Sequence, residues 1–118
     1  MTLDECARRV SAEWIVPGNP ESTFDNIVVS DLMSDVLVTE HDDFLLVTSL
    51  TSEQVVRTAD IVEARAILLT NGKDPQPALR TLAEAQGMPI LSSPFPTFDV
   101  CRLLAGCENN PETTRKVD

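Results

Sequence analysis

The side chains able to do chemistry in this chain sit at the ends of its apolar runs. Thr48-Ser49 follows Phe44-Leu45-Leu46-Val47, Thr70-Asn71-Gly72-Lys73 follows Ala66-Ile67-Leu68-Leu69, and Ser92-Ser93 closes Pro89-Ile90-Leu91. Hydroxyls, a glycine that permits close backbone approach and one loop cation form a set suited to a small phosphorylated ligand. Helix N-termini opening at the same edge would add backbone N–H donors. Lys73 is the counter-charge in that set. Asp31 and Asp35, one turn apart, are a candidate pair for a metal ion or a ribose hydroxyl; the plainer alternative is a helix cap beside a solvated side chain. Arg57 follows Glu53 by four residues, the spacing of an exposed helical ion pair. Gln54 stands where a capping box would use it.

The nucleotide fingerprints are missing. No GxGxxG follows an apolar run, and Gly72-Lys73 lacks the upstream glycine and the following Ser or Thr of a Walker loop. His41 lies in an acidic turn beside Asp42 and Asp43, with no serine or cysteine set near it by any motif. Three cysteines without CxxC spacing argue against a disulfide framework and against zinc. Cys6 and Cys101 are expected on inward helical faces, and Cys107 near the tail is the candidate accessible thiol. No catalytic residue and no metal ligand is assigned, and the chain is expected not to be an enzyme.

The elements that must hold these residues follow from periodicity. Thr2-Leu3-Asp4-Glu5 has capping-box spacing, and Leu3, Cys6, Ala7 and Val10 form one helical face, predicting a helix that runs on towards the breakers Pro17-Gly18-Asn19-Pro20. Asn26-Ile27-Val28-Val29 reads as a short strand. Ser30 or Asp31 then caps a helical turn carrying Leu32, Met33, Val36 and Leu37. Phe44–Val47 is a continuous apolar run of strand length, which suits a strand buried on both faces. Thr51-Ser52-Glu53-Gln54 repeats the capping-box spacing before a helix with Val55, Val56, Ala59 and Val62 inward. Ala66–Leu69 is a second buried strand. A helix with Leu79, Leu82, Ala83 and Gln86 on one side ends at Gly87, and Pro89–Ser92 is the next strand. The last helix, Thr97 to Ala105, is expected to bury Phe98, Cys101, Leu104 and Ala105.

Strands alternating with helices through short connections imply right-handed βαβ units. The expected fold is a single three-layer α/β domain with a mainly parallel sheet and an N-terminal helix, over residues 1–108. Residues 109–118 read as a polar tail. At 118 residues, 42% hydrophobic and 24% charged, the chain has globular composition. No apolar run approaches the ~20 residues of a membrane span. The first residues lack a signal-peptide pattern, so a cytoplasmic location is expected. A formal charge of −10 disfavours nucleic acid and anionic membranes as partners.

Several blocks in order resemble the DRTGG domain. They are Asp31-Leu32-Met33-Ser34-Asp35-Val36-Leu37, Leu46-Val47-Thr48-Ser49-Leu50-Thr51 and Gln54-Val55-Val56-Arg57-Thr58-Ala59-Asp60, followed by Asn71-Gly72-Lys73-Asp74-Pro75 and Phe98–Leu104. The likeness is to small stand-alone members associated with iron-hydrogenase gene clusters. It runs from about Asp25 to Gly106, without the literal DRTGG pentapeptide, and with Arg102 where those relatives tend to place glycine. The resemblance implies a fold similar to the N-terminal domain of HPr kinase/phosphorylase, a non-catalytic module. It also implies a regulatory, dimerising unit of the kind found near adenine-nucleotide sites. The matching candidate ligand positions are Asp31, Ser34, Asp35, Thr48, Gln54, Arg57 and Lys73. The expected function is a non-catalytic regulatory or interaction module, a homodimer or the partner of another protein, that senses a small phosphorylated ligand. No cofactor is expected, with an adenine nucleotide near Lys73 as the alternative ligand and a small hydrolase or phosphoryl-transfer accessory as the third reading.

Overall fold

In the central strands successive side chains point to opposite faces, so an unbroken apolar run needs cover on both. The computed structural model describes residues 1–105 and supplies that cover. Its elements are α1 (Leu3–Arg9), β1 (Glu13–Val16), β2 (Asn26–Val29), α2 (Met33–Leu37), β3 (Phe44–Thr48), α3 (Gln54–Ile61), β4 (Ala66–Leu69), α4 (Pro77–Gln86), β5 (Ile90–Ser92) and α5 (Thr97–Leu104). The sheet order is β1-β5-β4-β3-β2. Strands β2, β3, β4 and β5 are parallel, and β1 joins β5 antiparallel. Phe44 and Leu46 pack with Met33, Val36, Val55, Val56, Leu79 and Ala83 on the α2/α3/α4 side. Leu45 and Val47 pack with Leu3, Cys6, Val10, Val100 and Leu104 on the α1/α5 side. The architecture is therefore three-layered, as the strand–helix alternation implies.

Local signals hold at several termini. The Thr2 hydroxyl accepts from the Glu5 N–H at 3.1 Å, capping α1. Gly87 ends α4 with a φ of 69°, a left-handed conformation that glycine adopts without a side-chain penalty.

Five expectations need correction. The first helix stops at Arg9, and Ser11 turns the chain at a φ of 52° into the strand Glu13–Val16. Trp14, Ile15 and Val16 are aromatic and β-branched, and pairing with β5 gives their backbone a ladder that a continued helix would not. The short helix α2 begins after Leu32 with no side-chain cap, because Ser30 bonds Leu32 within the turn and Asp31 turns elsewhere. No side chain caps α3 either: Val55 N–H reaches Ser52 O at 3.2 Å, so a tight backbone turn replaces the expected capping box. The helix α5 is rotated. It buries Val100 and Leu104, leaves Cys101 half-buried and Ala105 exposed, and presents Phe98 to solvent at 76% exposure. Gln86, at the end of α4, is exposed, although Leu79 and Ala83 on the side expected to carry it are buried. Cys107, the domain boundary at 108 and the polar tail over 109–118 lie outside the described residues. Among the described residues no helix is long and apolar enough to cross a membrane.

Candidate ligand site at the carboxyl edge of the sheet

Four parallel strands deliver their following loops to one edge, which is where open α/β sheets usually hold ligands. Just beyond β2, Ser30 N–H still bonds Val47 O, and the Ser30 hydroxyl accepts from Leu32 N–H at 3.0 Å. This turn leaves the Asp31 side chain pointing across to the end of β3. There Asp31 Oδ1 accepts from the Thr48 hydroxyl at 2.9 Å and from Ser49 N–H at 2.8 Å. Its Oδ2 accepts from the Ser49 hydroxyl at 2.7 Å. A carboxylate offers about four lone-pair sites, so three donors leave room for one more.

The clasp has an electrostatic signature. Partial burial by itself would raise the Asp31 pKa. The Ser49 N–H, the Ser49 and Thr48 hydroxyls and the nearby Lys73 charge outweigh that and hold the carboxyl below its ordinary value. Lys73 reaches this neighbourhood from the loop after β4. Asn71 and Gly72 both take positive φ, 69° and 62°. Their N–H groups bond Phe95 O at 2.8 Å and Ser93 O at 3.0 Å, tying that loop to the one after β5. The tight reversal needs small or left-handed-tolerant residues, which Asn-Gly supplies. Lys73 itself is exposed and makes no hydrogen bond or ion pair among the described residues.

The seven candidate residues thus separate into two groups. Asp31, Thr48 and Lys73 converge from three neighbouring strand ends. Thr48 is buried and fully engaged, since its hydroxyl also accepts from Leu50 N–H at 3.2 Å. Ser34 and Asp35 are exposed on α2, and no hydrogen bond or ion pair joins Asp35 to Asp31. Gln54 is exposed at the first position of α3. Arg57 pairs with Glu53 at 3.1 Å on the exposed face of α3, the arrangement its spacing implies. Among the described residues no group of three or more His, Cys, Asp or Glu side chains is placed to hold a metal ion. The residue that sequence reasoning left out of the set is Ser49, which supplies two of the three donors to Asp31. Its only signal was a second hydroxyl beside Thr48.

A cleft of about 1000 Å³ lies at the opposite, amino edge and includes none of the seven. Asp42, Asp43, Asp60 and Glu63 line it, with Arg65 paired to Asp43. That lining repels a phosphate group, so the larger cavity and the phosphate-compatible site do not coincide.

A doubly covered, mainly parallel sheet with a polar clasp and a free lysine at its carboxyl edge defines the class: a three-layer α/β module. The chain belongs to the DRTGG domain family, whose model matches residues 5–107. It is similar in fold to a solved structure of the CBS and DRTGG domains of the regulatory region of Clostridium perfringens pyrophosphatase, complexed with the activator diadenosine tetraphosphate. The TM-score is 0.64 at 15% identity, covering 95% of this chain and 49% of that one. The chain thus spans about half the length of that regulatory region. No curated protein matches it in sequence.

Proposed function

We propose that this chain is a non-catalytic regulatory module that senses a small phosphorylated ligand at the carboxyl edge of its sheet. The observation that carries this reading is Lys73: an exposed ammonium, without an ion-pair partner among the described residues, set on a loop beside a carboxylate already occupied by three donors. Asp31 holds the loops after β2 and β3 together, while Lys73 is free to meet an anion. The Ser49 hydroxyl and the Asn71-Gly72 turn border the approach. The remaining lone pair of Asp31 suits a ligand hydroxyl, which favours a nucleotide over inorganic phosphate. The fold neighbour is a regulatory region bound to an adenine dinucleotide, which supports an adenine nucleotide as the ligand class.

A hydrolase would need a base at this site. His41 belongs to the loop preceding β3, at the other edge of the sheet from Lys73, and its N–H turns back to the Thr39 hydroxyl. The module reading also includes self-association or a protein partner through which binding is relayed.

A thermal-shift screen against adenine nucleotides, with and without magnesium, tests the proposal. A ligand at a hundred times its Kd stabilises the fold by ~2.7 kcal/mol, several degrees for a domain this size. The shift is expected with wild type and absent in Lys73→Ala, whose own melting temperature stays close to wild type because the side chain is exposed. An equal shift in the variant contradicts the assignment.

A further inference from the structure

The α1/α5 side of the molecule differs in charge from the rest. Here Asp4, Glu5 and Asp99 match Arg8, Arg9 and Arg102, in a chain with nineteen acids against nine bases. Arg8 pairs with Asp4 at 3.3 Å and Arg102 with Asp99 at 3.7 Å, both exposed. A cleft of about 370 Å³ opens where the end of α1 meets α5, lined by Arg9 and Ser11 from one and Asp99, Arg102 and Leu103 from the other, with Phe95 beside them. Phe95 and Leu103 are half-buried. Phe98 stands one turn before Arg102 on α5, whereas Phe24 and Phe44 are buried in the core.

We infer that this face is the docking surface for a second copy of the chain, with α5 lying antiparallel against its counterpart about a two-fold axis. The inference rests on the reading of the chain as a self-associating module and names the surface responsible. A two-fold interface uses the same patch twice, so the patch must complement itself. This one does. An antiparallel pair of α5 helices sets Asp99 of each copy opposite Arg102 of the other, forming the charge contact twice. It also brings Phe98 of each copy to the cleft over Phe95 and Leu103, giving the aromatic anchor typical of an interface centre. Two chains of net charge −10 repel each other, and a charge-balanced face lowers that barrier. The amino-edge cleft, with four carboxylates against Arg65, would raise it.

Sedimentation equilibrium of the full chain provides the test. Wild type is expected to show a reversible dimer of twice 12.9 kDa. Phe98→Glu weakens it by at least about tenfold, with circular dichroism melts showing a folded monomer. Asp99→Arg and Arg102→Asp each weaken it, and an equimolar mixture of those two variants restores a dimer. In the mixture every facing pair is opposite in sign while neither chain regains its internal pair. A wild-type chain that stays monomeric, a dimer indifferent to Phe98→Glu, or a mixture no better than its components overturns the proposal. Nucleotide binding measured in the Phe98→Glu monomer separates the two claims. Retained binding leaves the ligand site standing whatever the oligomer does, and a failure of the dimer predictions beside intact binding counts only against this surface.

Discussion

Asp31 sits among donors, and that single carboxylate carries a pH signature. Its folded pKa lies below the ordinary value of 3.8, so the clasp contributes stability that is fully present above that value. The contribution is lost as pH falls from there through the lower folded value, because the unfolded chain then binds the proton first. Asp31→Asn keeps an acceptor for Thr48 and Ser49 but has no proton to gain. Chemical denaturation followed from pH 6 downwards is expected to show a shallower acid-side loss for Asp31→Asn than for wild type. Parallel pH curves would show that the clasp is not charge-assisted. The same substitution removes a negative charge that interacts with Lys73, so anion affinity at the site should rise or hold. None of these contacts could be read along the chain, since Asp31 meets its partners across 17 and 18 residues. The types were legible, the pairing was not.

At the scale of elements, the strands were legible where physics leaves one option. Phe44–Val47 and Ala66–Leu69 have no polar position to turn to solvent, so they had to be central, and both are buried throughout. Short helices were harder. α5 spans eight residues containing Phe98, Val100, Cys101, Leu103 and Leu104, apolar nearly all round, so composition cannot fix which side faces the sheet. The packing against α1 and the sheet decides it, seating Val100 and Leu104. Val100→Ala is therefore expected to cost about 2 kcal/mol by loss of two buried methyl groups and the cavity left behind. Phe98→Ala should change monomer stability by less than about 0.5 kcal/mol. Urea unfolding of the two variants, made in the monomeric range, checks the orientation; the reverse ranking would mean that α5 packs through Phe98. The edge strand β1 was lost to a helix for a related reason. The apolar face of α1 ends cleanly at Val10, but nothing in Ser11-Ala12-Glu13 stops a helix, and the left-handed turn at Ser11 is imposed by the docking of Trp14–Val16 on β5.

Across the whole molecule, the two edges of the sheet differ in the charges they gather. The amino edge gathers Asp42, Asp43, Asp60 and Glu63 around a wide cleft, and the carboxyl edge offers Lys73 beside a carboxylate held by three donors. A net charge of −10 sets an unfavourable long-range field for anions everywhere. That field is screened beyond ~8–10 Å at physiological salt, so local donors decide the outcome. The central proposal is that phosphorylated ligands bind at the carboxyl edge. The most direct test is to titrate an adenine nucleotide into the isotopically labelled protein and follow each backbone amide by NMR. Shifts should concentrate at Ser49, Asn71, Gly72 and Lys73 and vanish in Lys73→Ala. Shifts centred instead on Asp43, Glu63 and Gly87, or none at concentrations that saturate wild-type stabilisation, would contradict the account.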